Sequence, residues 1–299
     1  MLRLRPLAVS FAVVLIAVLI PSAAGAAGGQ GGSRTSEVDF GACTELSTGT
    51  TVALSELQAR VPETVPVLSL TDQGFVFPGS DALGILITRT LECDSITVTS
   101  NGNTRTQVDR HIAHVGTPVD ASVLPATPFN NDGVNGADFN NYVFAYYSDS
   151  PIYRNAMRQA GVQNVAPARI DMHDETVDEC VLDRTVTVQP DNGQDNYGFT
   201  ATGIVPDAAC EPAVVPFIAN WWSVDDGDAA VLSNNIPGQS ALFVDTSETI
   251  ITLDATGRSQ LADVFGADTA TADAFGLTGH IPATDGLDMV ILSAGNVHS

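Results

Sequence analysis

The chain has 299 residues, with 35 Asp and Glu against 12 basic residues, for a formal charge of −23 at pH 7. All 12 basic residues are arginine; the chain contains no lysine. A surface this negative repels phosphate backbones and anionic lipid heads, which argues against nucleic acid or membrane as a partner.

Residues 1–26 read as a secretory signal: Arg3 and Arg5, an apolar run over 7–20, a Pro21-Ser22 break and the small residues Ala24-Gly25-Ala26. The run is shorter than the roughly 20 residues of a bilayer span, so cleavage after Ala26 is expected to leave no membrane span. Removing Arg3 and Arg5 leaves 10 basic against 35 acidic groups, a difference of −25. The acidic residues are scattered rather than clustered, the pattern of a surface that stays hydrated in concentrated salt. Residues 27–36, rich in Gly, Ser and Gln, are expected to form a flexible leader. No repeat or long linker follows, so 37–299 reads as one domain.

Within that domain, period-two alternation predicts strands over 83–92, 111–115, 142–147, 185–189, 197–205, 214–224, 240–245 and 249–253. Pro190-Asp191-Asn192-Gly193 is a turn signal that makes 185–189 and 197–205 a hairpin, so the strands are expected to be mainly antiparallel. Helices are few. Ser55-x-x-Gln58 has capping-box spacing. Residues 150–160 have Ser150 as N-cap, Pro151 in the first turn and Gly161 as a stop. Residues 259–265 place Leu261, Val264 and Phe265 at core spacing. The fold class is mainly β with a few helices (α+β), an antiparallel closed or partly closed barrel with flanking helices.

Cys43, Cys93, Cys180 and Cys210 form an even set in an exported chain, so disulfides are expected. Three pairings exist. Cys180 with Cys210, which flank the hairpin, is favoured, leaving Cys43 with Cys93; a zinc site is the rival, although no close C-x₂₋₄-C spacing supports it.

Arg89 shares a strand face with Ile85, Ile87 and Leu91. A guanidinium aimed into a core needs either an anionic ligand or an internal carboxylate. Tyr142, Phe144 and Tyr146, on one face of their strand, would enter a ligand cavity or leave it together. Arg169, Asp171 and His173 align on one face of an extended segment, either an acid–base group or the solvated side of an edge strand. His111 and His114 point to opposite faces and cannot share a metal ion. The stretch from Asn130 to Asp138 and the acidic turn Asp225-Asp226-Gly227-Asp228 are rich in oxygen ligands, but they lack EF-hand spacing. No metal or cofactor is implied. The G-x-S-x-G, G-x-G-x-x-G, P-loop, H-E-x-x-H and C-x-x-C patterns are absent, removing the usual support for hydrolase, nucleotide, zincin and redox chemistry.

Several segments together resemble the acetoacetate decarboxylase-like superfamily over roughly residues 57–292. They are Val61-Pro62-Glu63 leading into the strand 82–93, the strand 142–147 followed by Ser148-Asp149-Ser150-Pro151 and a helix ending Ala160-Gly161, Trp221-Trp222, and Gly257-Arg258-Ser259-Gln260-Leu261-Ala262. The resemblance implies a closed antiparallel barrel around a ligand cavity. It also implies a Schiff-base lysine, which this chain lacks, so imine decarboxylation is excluded. An arginine such as Arg89 would still grip a carboxylate. Three readings follow: a secreted barrel binding a small organic acid, with Arg89, Tyr142, Phe144 and Tyr146 lining it; a structural or interaction protein of the cell envelope with a filled barrel; and a lysine-independent enzyme using Asp171 and His173.

Overall fold

In the computed structural model the chain is described at residues 35–127, 129, 138–191, 196–208, 210, 217–236, 240–243, 251–266, 270–281, 283 and 289–297. The signal sequence, residues 27–34 of the leader, and residues 130–137 of the Asn/Gly-rich stretch lie outside them. Thr35 and Ser36, read as the end of the leader, belong instead to a strand in which Ser36 is buried.

In chain order the elements are β1 (Thr35–Phe40), β2 (Cys43–Ala53), α1 (Leu54–Gln58), β3 (Leu83–Ser100), β4 (Asn103–Pro118) and β5 (Asp138–Ser148). Then come α2 (Pro151–Gln159), β6 (Val165–Asp178), β7 (Val181–Pro190), β8 (Phe199–Pro206), β9 (Phe217–Asp225) and β10 (Asp228–Ile236). The chain closes with β11 (Ser240–Phe243), β12 (Ile251–Ala255), α3 (Leu261–Phe265), β13 (Thr271–Ile281) and β14 (Met289–Asn296). The mainly-β class stands.

The strand order is β1-β14-β10-β9-β5-β4-β3-β2-β13-β12-β8-β7-β6, and two further pairings, β1 with β3 and β5 with β6, turn the sheet back on itself. The result is two strand circuits sharing β3, β4 and β5. Beyond Leu83–Cys93, which pairs with β2, β3 continues through Ile96–Ser100 to pair with β1. On β5, residues 138–142 take β9 as neighbour and residues 146–148 take β6, both parallel; the remaining pairings are antiparallel.

The shared wall departs from the alternating pattern. Strand β3 is buried on both faces, because Leu86, Thr88 and Thr90 point into one core and Arg89 and Leu91 into the other. It also runs to Ser100, well past the expected end at 92, and β4 begins at Asn103 rather than 111. Asn101 and Gly102 join them, both with positive φ, as the two-residue Asn-Gly hairpin turn requires. Strands β7 and β8 form the expected hairpin, and Asp226-Gly227 closes β9 onto β10 in the same left-handed conformation as Asn101-Gly102. The portions of the expected strands at 214–216, 244–245 and 249–250, and residues 192–193 of the turn signal, lie outside the described residues.

Both favoured disulfides form: Cys43–Cys93 lies directly across β2 and β3, and Cys180–Cys210 ties the β6–β7 turn to the segment after β8. Helix α2 is capped by Ser150, whose Oγ accepts from the Tyr153 amide. Ser55 does not cap α1. That position falls to Ala53, and Gln58 instead reaches the following loop, accepting from Val67 N and donating to Val65 O.

One irregularity decides which side chains meet. Between β4 and β5 the register steps from Val115 opposite Ala145 to Gly116 opposite Val143, leaving Phe144 as an extra residue. The strand therefore flips its faces there. Tyr142 and Phe144 pack in one core, whereas Tyr146 belongs to the other. The expectation that the three share a face fails at this bulge. Gly116 makes it possible, since a Cβ at that position would sit 2.3 Å from the Tyr142 carbonyl oxygen. Gly116→Ala is expected to cost roughly 3 kcal/mol, the upper end of overpacking penalties, and to lower Tm by roughly 5–10 °C in calorimetry.

Candidate functional site

On the core face shared with Tyr146, adjacent strands bring four polar residues into a row. Glu45 on β2 lies diagonal to Arg89 on β3, Arg89 is opposite His114 on β4, and His114 is opposite Tyr146 on β5. Trp221 on β9 and Tyr153 on α2 complete the cluster, and all six side chains are at most 3% exposed. Arg89 donates to both Glu45 carboxylate oxygens, Nε to Oε1 at 3.0 Å and Nη2 to Oε2 at 3.0 Å. Ser47 Oγ adds a 2.6 Å bond to Oε1. Of the two requirements posed for Arg89, the internal carboxylate is met.

A second buried guanidinium leans on the same residue. Arg184 Nη1 donates to the Glu45 backbone oxygen at 3.1 Å, while Nε and Nη2 each reach Asp174 at 2.7 Å. Two arginine–carboxylate pairs are thus joined through β2. Bidentate geometry of this kind offsets much of the desolvation that a buried charge incurs.

The His114 ring lies 4.9 Å from the Tyr146 ring and 4.8 Å from that of Trp221. Burial, aided by the nearby Arg89 charge, holds its pKa well below the usual histidine value, so it is neutral. Tyr146 donates to the Trp221 backbone oxygen at 2.7 Å. Burial also raises the pKa of Tyr153, which stays a neutral phenol.

Five buried polar atoms in this cluster have no hydrogen-bond partner among the described residues: Arg89 Nη1, both His114 ring nitrogens, Tyr153 OH and Trp221 Nε1. Buried polar groups are otherwise almost always paired. The set is rich in donors, because Arg89 Nη1 and Trp221 Nε1 donate only, while neutral His114 and Tyr153 each offer one donor and one acceptor.

The other sequence candidates lie elsewhere. Tyr142 and Phe144 pack with Tyr197 in the opposite core, the Phe144 and Tyr197 rings stacked at 5.5 Å. Burial raises the Tyr142 pKa to about 12. Arg169, Asp171 and His173 stand on the exposed side of β6, where Arg169 pairs with Asp171 and His173 faces Glu175. The nearby cleft lined by Asp174 and Arg184 does not include them, and no group of three or more His, Cys, Asp or Glu is placed to hold a metal among the described residues. Glu45 and Tyr153 were not legible as site residues. The 43–53 segment, Cys-Thr-Glu-Leu-Ser-Thr-Gly-Thr-Thr-Val-Ala, has too few apolar residues to read as an inward-facing strand.

His111 faces away from His114, as expected. Its ring Nδ1 lies 2.9 Å from Asp149 Oδ2, its amide donates to Asp149 Oδ1 at 2.9 Å, and Glu92 and Arg110 stand nearby. The pair holds the entrance to α2, the helix that carries Tyr153.

No family model and no curated protein matches the sequence. Among solved structures, the chain is similar to an acetoacetate decarboxylase, at 13% identity and a TM-score of 0.44, covering 87% of this chain and 88% of that one. It is also similar to an acetoacetate decarboxylase-like enzyme from Sphingomonas wittichii RW1, at 10% identity and a TM-score of 0.41 over 89% and 92% of the two chains. The enduracididine biosynthesis enzyme MppR, solved in complex with pyruvate, aligns at 12% identity and a TM-score of 0.38 over 88% and 90%.

Two outcomes are expected. Glu45→Ala strands the Arg89 charge and is expected to lower stability by about 3–5 kcal/mol, whereas Glu45→Leu combined with Arg89→Met restores most of it, read from urea unfolding. The hydrogen bond with Asp149 raises the His111 pKa above 6.5 against an opposing push from burial. For Asp149, burial acts to raise the pKa, but the bonds from the His111 ring and amide prevail and lower it below 3.8. The His111 contribution is therefore complete below pH 6.5 and is lost as pH rises through its raised folded value; the Asp149 contribution is lost as pH falls through its lowered one. As pH rises from about 6 through the raised His111 value, the urea midpoint is expected to decline for the wild type relative to His111→Gln.

Proposed function

We propose that this chain is a secreted or envelope-exterior acidic protein whose barrel-like interior binds a small, oxygen-rich organic acid or related ligand without forming an imine. The observation that carries this reading is the set of five buried, unpartnered polar atoms on Arg89, His114, Tyr153 and Trp221. Leaving one such atom unpaired costs about 1–3 kcal/mol. Five together rival the roughly 5–15 kcal/mol of a whole domain's stability, so a polar guest is the economical way to satisfy them. Because donors outnumber acceptors, the guest is acceptor-rich, which describes a carboxylate or a carbonyl compound. With no lysine in the chain, its carbonyl is held by hydrogen bonds and not by a side-chain amine.

The ligand set differs from the sequence expectation. Arg89 and Tyr146 remain, His114, Tyr153 and Trp221 join them, and Tyr142 and Phe144 face the other core. Export is supported by the two disulfides, which persist in oxidising compartments. No helix among the described residues is long and apolar enough to cross a membrane.

The filled, structural reading has one observation in its favour: Glu45 already takes two Arg89 donors, as in a packed interior. Native mass spectrometry of the mature chain with a pool of small keto and hydroxy acids, joined to NMR of the Trp221 indole N–H, separates the two. Binding predicts a retained acid mass, a shifted indole proton, and about tenfold or greater loss of affinity in Tyr153→Phe and Trp221→Phe, since hydrogen bonds to a charged group contribute about 1.5–3 kcal/mol. No retained mass and an unmoved indole for every acid would establish the filled envelope protein instead. Arg89→Ala is the weaker probe, because it leaves Glu45 charged and buried.

A further inference from the structure

A pocket of about 310 Å³ opens between the tip of the β3–β4 hairpin and one side of α2, outside the buried polar centre. Its floor is apolar, built from Val98 on β3 and from Ile152 and Ala156 on the helix. On α2 the amides of Asn155 and Gln159 stand beside that floor, at i, i+3, i+4 and i+7 along one stripe with Ile152 and Ala156. Across the gap, the hairpin turn contributes Asn101, and Arg105 extends from β4 at the position opposite Val98.

Among the described arginines, Arg105 and Arg258 have neither a carboxylate nor a carbonyl partner, and of the two Arg105 lines this pocket. Arg60, Arg89, Arg110, Arg169 and Arg184 each face a carboxylate. Arg105 is exposed, makes no ion pair or hydrogen bond with another described residue, and has no carboxylate among its neighbours in the pocket lining. In a chain of net charge −23, that leaves a local positive site on an otherwise repulsive surface. The side-chain amides of Asn101, Asn155 and Gln159 likewise have no partner among the described residues.

Each part of the lining has a chemical counterpart. Amides both donate and accept, which matches hydroxyl groups; a guanidinium forks onto one carboxylate; and an apolar floor receives the C–H face of a saturated ring. The volume lies at the lower end of small-molecule clefts, roughly 300–1,000 Å³, and so suits one or two rings. We infer that this pocket binds an anionic sugar, a polyhydroxylated ring bearing one carboxylate. Arg105 takes the carboxylate, Asn155 and Gln159 take hydroxyls, and Ile152 and Ala156 support the ring.

The test is an NMR titration of the mature chain with glucuronate, glucose and acetate in separate experiments, following the side-chain amides of Asn155 and Gln159. Glucuronate is expected to shift both amides, with glucose and acetate each binding at least tenfold more weakly. Arg105→Gln is expected to reduce glucuronate affinity by about tenfold or more, the loss of a charged hydrogen-bonded contact, while leaving the weak glucose response in place. Arg105 is exposed, so the variant folds, and a Trp221→Phe chain keeps this site whatever becomes of the interior one. The inference is overturned if glucuronate moves neither amide, if acetate binds as tightly as glucuronate, or if Arg105→Gln leaves glucuronate affinity unchanged.

Discussion

Both cores of this protein lean on one wall, the strands β3, β4 and β5, which exposes no residue where the two circuits meet, over 84–91, 112–117 and 141–148. Each residue there must satisfy a core on one side or the other. The central stretch of β5, Tyr-Val-Phe-Ala-Tyr-Tyr, is consequently apolar or aromatic at successive positions, the sequence signature of a strand covered on both faces. The Phe144 bulge then distributes its aromatics, sending Tyr142, Phe144 and Tyr147 to one core and Tyr146 to the other. Consecutive Trp221 and Trp222 on β9 divide in the same way. Trp222 is anchored by its indole N–H to Asn140 at 3.0 Å, whereas the Trp221 indole faces the polar cluster.

A wall of this kind makes any charge upon it costly. Arginine suits the position, because its planar fork binds a carboxylate through two donors and stays charged at any relevant pH. Arg89 with Glu45 and Arg184 with Asp174 follow that rule, and their link through the Glu45 backbone fixes β2 between them. Once Glu45 has neutralised Arg89, the remaining Nη1 is available without leaving a net charge in the core. His114 stays neutral beside it because burial, aided by the Arg89 charge, disfavours the imidazolium. The candidate site is therefore an electrically balanced, donor-rich patch and not an ion trap.

The outer surface follows a different logic. Acidic side chains dominate it, and most described arginines are occupied by carboxylates or by backbone carbonyls, as Arg154 is by Ser148 O and Arg158 by Val165 O. Against that background an arginine in a carboxylate-free pocket is a selective feature. The interior patch and the Arg105 pocket share α2, which turns Tyr153 inward and Asn155 outward. The His111–Asp149 pair and the Ser150 cap, fixing where that helix starts, set the orientation of both.

Local chemistry determined much of this in advance. The mainly antiparallel β class, the β7–β8 hairpin, the α2 cap with its proline and glycine, the even set of cysteines with its favoured pairing, and the need of Arg89 for an anionic partner all follow from spacing and side-chain type. Asn101-Gly102 was an equally local signal, and it marks the hairpin that makes β3 and β4 so long. What the sequence could not determine is which strand neighbours which, because pairing depends on closing the sheet through contacts dozens of residues apart. Glu45 finds Arg89 across 44 positions, and Trp221 meets His114 only when β9 lies beside β5. Even the faces of β5 resisted a period-two reading, since one inserted residue against a glycine reverses every side chain beyond it. The tertiary structure decided the site, because register and closure, which no short window of sequence contains, determine which polar groups share a core.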